Sequence, residues 1–272
     1  MIKDTKEIAY LYDLYLVPTW RNHFDTLFDE KCGIPQTGHV LDINCGTGGH
    51  AIELAKHLTG KGNVTAIDDS LEIIKLAQAK ATIAKLDNLN FWAANTLFLA
   101  FADNSFDMVI TDVSLAAADK LAKQLPELIR VAKPGAKIVV YDITRGSFDE
   151  FFSVFWEALY NCQLSEKLFS NLEALINERA TILELEQLLK ESGLKSITSY
   201  IEKTEFLFET AEAFFQSPLI EHFMLEKWFS IVPKNSVKAV NEALTSIIDT
   251  ERNGYDFDIS IKATLLVAEK HA

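Results

Sequence analysis

The sequence predicts an α/β protein with a parallel sheet covered by helices on both faces. Two observations carry this prediction. From His39 onward, short apolar runs alternate with helical stretches long enough to connect parallel strands, and a glycine-rich turn directly follows the first apolar run. The predicted strands are Val40–Ile43, Asn63–Ile67, Leu89–Trp92, Phe106–Thr111 and Ala136–Asp142, and the helices between them are Gly49–Leu58, Leu71–Lys85 and Ala117–Val131.

The flanking regions have a less regular pattern. Ile8–Phe28 predicts one or two amphipathic helices, broken near Pro18 because proline removes a helical hydrogen bond. Beyond Gly146 we predict the helices Asp149–Cys162 and Thr181–Ser192 and the strands Ser196–Phe208 and Asp258–Glu269. A loop as long as Thr210–Arg252 is uncommon, so this stretch predicts a small helical cap. We therefore expect one domain over residues 1–272, with an N-terminal helical segment (1–37), a core (38–208 and 256–272) and a cap insertion (209–255).

Composition bounds the cellular setting. The sequence has no apolar run of the roughly 18–20 residues that a membrane span needs. Its first residues are too charged for a signal peptide. Three widely spaced cysteines, Cys32, Cys45 and Cys162, fit neither a disulfide framework nor a paired metal motif. We expect a cytoplasmic protein with no metal and no membrane partner.

The charge of the chain argues against nucleic acid as a partner. The formal net charge is −13, and both halves of the chain are acidic. Nucleic-acid binding draws its affinity from Lys and Arg that displace counterions from phosphates. We therefore expect a small-molecule substrate and no nucleic acid, whereas the sequence gives no indication of oligomeric state.

The turn after the first strand indicates a ligand site. Gly46 and Gly48 allow a tight turn and a close approach of the backbone to a ligand. The helix that follows directs its N-terminal amides at the same place. Such turns also serve NAD, FAD and ATP, so this feature alone does not identify the ligand.

A carboxylate follows the next strand. Asp68 lies 20 residues after Gly48 and ends an apolar run. In this position it can accept hydrogen bonds from the hydroxyls of an adenosine ribose. The competing interpretation is a helix N-cap, which Asp69 or Ser70 can supply equally well.

Two later segments distinguish the ligand classes. Residues 101–110 read FADNSFDMVI, and residues 130–142 read RVAKPGAKIVVYD. With VLDINCGTG at 40–48 and VTAID at 64–68, they resemble, in order and spacing, four motifs of the class I S-adenosylmethionine-dependent methyltransferases. The resemblance covers roughly residues 38–145.

The resemblance implies a Rossmann-like sheet of seven strands in the order 3-2-1-4-5-7-6, with strand 7 antiparallel, and S-adenosyl-L-methionine as cofactor. It also implies a set of cofactor-binding positions. These are Tyr12, Asp42, Asn44, Cys45, Gly46, Gly48, Asp68, Asp69, Asn95, Thr96, Thr111 and Asp112. Two of them depart from the family pattern. Asn44 replaces a glycine but tolerates a left-handed backbone, and Asn95 replaces an acid that accepts a bond from adenine.

No catalytic residue is marked. Methyl transfer from a sulfonium needs alignment more than a base. His50 is expected to be a solvated residue of the first helical turn, and His222 a packed or surface residue. Cys45 is expected to be structural.

Aromatic residues outside the sheet motifs favour an apolar or aromatic acceptor, with Tyr15, Trp20, Phe214 and Trp228 as candidate contacts. Packing between cap and sheet explains most of them equally well. We expect methyl transfer to a small metabolite. The alternatives are a non-catalytic S-adenosylmethionine-binding module, a nicotinamide oxidoreductase, which lacks the expected Tyr-x-x-x-Lys dyad, and a protein or RNA methyltransferase.

Overall fold

Seven strands form one mixed sheet in the computed structural model, which describes residues 5–33, 35–58, 62–250 and 256–271. The strand order is 3-2-1-4-5-7-6 with β7 antiparallel, which confirms the predicted fold class. The strands are β1 (Gly38–Ile43), β2 (Gly62–Asp68), β3 (Leu89–Ala93), β4 (Phe106–Asp112), β5 (Ala132–Ile143), β6 (Leu194–Phe208) and β7 (Phe257–Lys270).

The register of the parallel strands brings the carboxyl ends of β1, β2 and β4 to one edge of the sheet. Ile43, the last residue of β1, pairs with Ile67 of β2 on one side and Thr111 of β4 on the other. The residues that follow these strands therefore lie side by side at the carboxyl edge of the sheet, where ligands bind in open α/β folds.

The chain divides into two compact units. The first contains residues 1–142, 182–201 and 263–272, and the second contains residues 143–181 and 202–262. The predicted cap falls in the second unit, although its last residues, 251–255, lie outside the described residues.

The helices of the first unit are α1 (Thr5–Leu11), α2 (Asn22–Lys31), α3 (Gly49–His57), α4 (Leu71–Ala84), α5 (Lys120–Val131) and α8 (Ile182–Glu191). Within the first unit, Val40–Ile43 of β1 is fully buried, including Asp42, and α3 and α4 pack against β2 and β3.

The predicted break near Pro18 is wrong. A π-helical segment, Tyr12–Arg21, joins α1 to α2 and contains Pro18. The N–H of Asn22 donates to the carbonyl of Val17, a wider turn than that of an α-helix. Such a turn accommodates a proline because it already departs from the α-helical hydrogen-bond ladder.

The second unit has an aromatic core of its own. Trp228 stacks on Phe151 with ring centroids 4.2 Å apart, and Phe214 lies 5.4 Å from Phe151. The helices are α6 (Asp149–Asn161), α7 (Glu166–Asn177), α9 (Ala211–Gln216), α10 (Leu225–Phe229) and α11 (Val237–Thr250), with a π-helical segment at Ile220–Met224. The sequence prediction did not include α7. None of the described helices, in either unit, is long and apolar enough to cross a membrane.

Candidate functional site

The turn between β1 and α3 has three residues in the left-handed region. The φ angles are +55° at Asn44, +57° at Gly46 and +79° at Gly48. Asn44 takes this conformation with its side chain held, because its amide donates to the backbone oxygen of Asp112 at 2.8 Å. A Cβ at Gly48 would collide with the ring of Phe91. The asparagine thus keeps the turn that glycine usually provides.

The N-terminal segment closes over this turn. A Cβ at Gly46 would lie 2.7 Å from the hydroxyl of Tyr12, so the ring rests directly on the glycine. The next residue, Asp13, accepts hydrogen bonds from the hydroxyl of Thr47 and from Lys80 Nζ, the latter at 2.7 Å. Burial raises the pKa of the Tyr12 phenol, which therefore stays protonated at neutral pH.

Asp68 joins β2 to the turn. Its carboxylate accepts the N–H of Gly46 at 3.2 Å and that of Ser70 at 2.9 Å. Burial raises the pKa of Asp68, although these two N–H groups oppose the shift. The cap of α4 is Ser70, whose Oγ accepts the N–H of Ile73 at 3.4 Å. Asp68 is therefore not needed as a helix cap.

Asp69 accepts hydrogen bonds from Thr96. Its two carboxylate oxygens accept the N–H and the hydroxyl of Thr96, each at 2.8 Å. Lys120 Nζ also lies 3.0 Å from Asp69 Oδ2. Partial burial works the other way, but these bonds lower the pKa of Asp69. The neighbouring Asn95 is exposed, and its Oδ1 accepts the N–H of Leu97 at 2.8 Å.

A buried arginine occupies the other end of the site. Arg21, from the N-terminal segment, lies 2.8 Å from Asp112 and 2.9 Å from Asp25, and its Nη2 lies 3.8 Å from Asp42 Oδ1. Burial opposes the charge, but these three carboxylates raise the pKa of Arg21 well above its ordinary value. The guanidinium also lies 5.0 Å from the ring centroid of Tyr141.

Several buried polar atoms near Arg21 lack a hydrogen-bond partner among the described residues. They are Nη2 of Arg21, both carboxylate oxygens of Asp42, both ring nitrogens of His50 and the hydroxyl of Tyr141. Burial raises the pKa of Asp42 to about 7 despite Arg21, so this acid is partly protonated at neutral pH. Unpaired buried polar atoms are costly, and a cluster of them is typical of a ligand or water site.

Six of the twelve predicted cofactor residues line one pocket, and Gly48 is among the six that do not. One pocket is lined by Tyr12, Asn44, Gly46, Asp68, Asp69 and Asp112, together with Ile73, Leu115, Ala116 and Lys120. Asp42, Cys45, Thr96 and Thr111 are buried and do not line it. Thr111 accepts from Asn44 Nδ2 at 3.2 Å and donates to Gln124 at 3.0 Å. Asn95 does not line the pocket either.

The four predicted acceptor contacts have different environments. Tyr15 is 45% exposed on the N-terminal segment. Trp20 is fully buried there and donates to Ser114 Oγ at 2.9 Å. Phe214 and Trp228 are buried in the aromatic core of the second unit.

The expectation of a solvated His50 is wrong. The side chain is buried against Phe28, with ring centroids 4.8 Å apart, and its Nδ1 lies 3.8 Å from Asp25. It faces inward because the N-terminal segment covers this side of α3. Burial lowers the pKa of His50 to about 4. Cys45 is also buried, which raises its thiol pKa, and His222 is half-buried within the second unit.

The sequence prediction missed Arg21 and Lys120. A signal for Arg21 exists, because it follows Val17 by four residues and precedes Phe24 and Phe28 by three and seven. This spacing places a charge on an apolar helical stripe, which is unusual unless the charge is paired. Lys120 has no comparable signal. Among the described residues, no group of three or more His, Cys, Asp or Glu side chains is arranged to hold a metal ion.

Comparison with solved structures identifies the fold. The chain is similar to phosphoethanolamine N-methyltransferase 2 of Haemonchus contortus, solved with S-adenosylhomocysteine, with a TM-score of 0.59 at 17% identity over 98% of this chain and 58% of that one. The YcgJ protein of Bacillus subtilis gives a TM-score of 0.59 at 17% identity, over 92% and 99% of the two chains.

Sequence comparison gives relatives and a family. Demethylmenaquinone methyltransferase of Lactiplantibacillus plantarum is 38% identical over 113 residues, which is 41% of this chain and 48% of the relative. This chain thus matches only about half the length of such relatives. A family model described as a methyltransferase domain matches residues 36–217. The chain belongs to this methyltransferase family and has the fold of the class I methyltransferases.

Proposed function

We propose that this chain transfers the methyl group of S-adenosylmethionine to a small molecule. The observation that supports this function most is the position of Asp68. Its carboxylate lines the pocket and accepts the N–H of Gly46, the glycine on which the Tyr12 ring rests. A glycine at which any side chain would clash, followed by a carboxylate at the end of the next strand, suits the binding of a ribose diol.

The pocket walls, together with the buried groups that contact them, fit the three parts of the cofactor. Arg21 Nη2 has no hydrogen-bond partner among the described residues, and a carboxylate such as that of methionine would supply one. Asp112 and Asp42 near it suit an ammonium group. The apolar side chains of Ile73 and Leu115 suit the faces of a flat base.

The residues of this chain act by binding and alignment. The sulfonium of the bound cofactor supplies an activated methyl group. Asp68 would hold the ribose and Arg21 the amino-acid end, and Tyr12 would exclude water from the turn. Alignment of this kind can contribute about 7–11 kcal/mol to lowering the barrier of a displacement. The protonated Tyr12 phenol can donate a hydrogen bond and is not a base at neutral pH.

The acceptor belongs to the same proposal. We infer a small apolar or aromatic metabolite, because several curated relatives are named for demethylmenaquinone, a quinone. Tyr15, Trp20, Phe214 and Trp228 remain the candidate contacts. The net charge of −13 argues against nucleic acid, and the three free cysteines favour the cytoplasm.

Production of S-adenosylhomocysteine tests the proposal. The purified chain is incubated with S-adenosylmethionine and a panel of hydroxyaromatic compounds, including a demethylated naphthoquinol with a short side chain. We expect turnover with at least one acceptor and a loss of turnover in Asp68→Ala. Binding without turnover would instead indicate a non-catalytic binding module, and absence of binding would contradict the proposal.

A further inference from the structure

Lys120 lines the pocket beside Asp69. It is the first residue of α5, and only 18% of its side chain is exposed. Its ammonium group donates to Thr96 Oγ1 at 2.7 Å and to Asp69 Oδ2 at 3.0 Å. These contacts hold a flexible side chain in one place on the pocket wall.

The ammonium group retains a donor for a ligand. A lysine has three N–H groups, and the two contacts above are the ones it makes among the described residues. Lys120 lines the same pocket as Asp68 and Asp69. A ligand in this pocket would therefore meet a fixed cationic donor.

The surroundings of Lys120 indicate which part of the ligand it meets. The pocket that Lys120 lines also contains the apolar residues Ile73, Leu115 and Ala116, whereas Asn44 and Asp112 are the lining residues that contact Arg21. A molecule with a charged amino acid at one end and a flat heterocycle at the other would place the heterocycle beside Lys120.

Asn95 offers no competing contact. Its side chain is exposed, its Oδ1 accepts the N–H of Leu97, and it does not line the pocket. At this end of the wall the Lys120 ammonium is a donor and the Asp69 carboxylate that it contacts is an acceptor. The donor matches the acceptor nitrogens of a purine ring.

We propose that Lys120 is a specificity-determining residue that donates a hydrogen bond to a ring nitrogen of adenine. The proposal rests on the proposed function, because it requires the cofactor to bind in this pocket. A purely structural role is the alternative, in which Lys120 only holds Asp69 and Thr96 in place.

Binding measurements with altered bases separate the two roles. The ligands are S-adenosylhomocysteine and its 1-deaza, 3-deaza and 7-deaza analogues, each of which lacks one ring nitrogen. The variants are Lys120→Met and Lys120→Arg, with Lys123→Met as the control. Lys123 lies one turn further along α5, is 58% exposed and pairs with Asp119 at the surface.

We expect Lys120→Met to weaken S-adenosylhomocysteine binding about tenfold or more, the effect of losing a hydrogen bond to a charged group. One deaza analogue should bind the parent chain about tenfold more weakly, yet lose little further affinity in Lys120→Met. Lys120→Arg should keep part of the discrimination, and Lys123→Met all of it.

A different pattern would overturn the inference. If Lys120→Met weakened all four ligands by the same factor, or none of them, Lys120 would not contact the base. If the parent chain, folded by circular dichroism, did not bind S-adenosylhomocysteine at all, the proposed function would fail, and this inference with it.

Discussion

Arg21 Nη1 lies 2.8 Å from Asp112 Oδ2, so a residue of the N-terminal segment is paired with the end of β4. Both side chains are almost fully buried. The pair links the covering segment to the strand edge, where Asp112 lines the pocket. Tyr12 on Gly46 and Asp13 on Thr47 add contacts from the same segment to the glycine turn.

Arg21→Gln should destabilise the protein and weaken cofactor binding. Removing one partner of a buried ion pair typically costs about 3–5 kcal/mol, and here Asp25, Asp42 and Asp112 all lose their cation. Denaturant unfolding and calorimetry with S-adenosylhomocysteine measure the two effects. Arg21→Lys, the control that keeps the charge, should lose less stability and less binding affinity. Unchanged binding in a folded Arg21→Gln variant would remove Arg21 from the cofactor site.

Asp68→Ala should weaken S-adenosylhomocysteine binding by about 1.5–3 kcal/mol, the range for hydrogen bonds to a charged group. Asn95→Ala should have a smaller effect, because its side chain is neutral and does not line the pocket. Isothermal titration calorimetry gives both values. If Asp68→Ala bound as tightly as the parent chain, the carboxylate would serve only the turn through its bonds from Gly46 and Ser70.

Gly46→Ala should disturb the cover over the turn. The new methyl group would lie 2.7 Å from the ring of Tyr12, and φ at this position is +57°. We expect a loss of about 1–3 kcal/mol in the free energy of unfolding, together with weaker cofactor binding. In the Tyr12→Ala background the same substitution should be less destabilising, because only the backbone strain remains. Equal losses in both backgrounds would show that the two residues do not interact.

Trp228→Ala should destabilise the second unit by about 3–5 kcal/mol, since the side chain is 3% exposed and stacks on Phe151. Trp156→Ala is the matched control, because that tryptophan is 41% exposed. Denaturant unfolding measures both. A stable Trp228→Ala variant with altered acceptor selectivity would instead support a direct role for Trp228 in substrate binding.

The strands and their ends are predictable from the sequence because the core strands are short, mostly apolar runs and a polar turn follows them. Val40–Ile43 and Asn63–Ile67 lie within β1 and β2, and Asp68 lies on the pocket. These features are local, and local patterns are visible in one sequence. The left-handed Asn44 is instead expected from the family resemblance, which places a glycine at this position.

The missed features depend on contacts between distant parts of the chain. Arg21 acquires its role from Asp112, 91 residues later, and Lys120 acquires its role from Asp69, 51 residues earlier. Spacing along one helix cannot reveal either pairing. The burial of His50 has the same cause. The first turn of a helix is usually solvated, but here the rings of Phe28 and Tyr141 pack against the His50 ring.

His50 should make stability depend on pH below neutrality. Its pKa in the folded chain is about 4, against an ordinary value of 6.5. Between these values the unfolded chain binds a proton that the folded chain does not, so acid favours unfolding. The free energy of unfolding of the parent chain minus that of His50→Gln should be largest above pH 6.5. It should fall by about 3 kcal/mol as the pH drops to 4.

The comparison with His50→Gln isolates this effect from the opposite one of Asp42. A buried acid whose pKa is raised to about 7 makes the folded chain less stable as the pH rises from about 4 to 7. That slope is present in both proteins and cancels in the difference between their urea-unfolding free energies. His57→Gln, at an exposed position on the same helix, is the control and should follow the parent chain. If the difference between parent and His50→Gln were flat from pH 7 to pH 4, His50 would be protonated to the same extent in both states, and its side chain would have to be solvated in the folded protein.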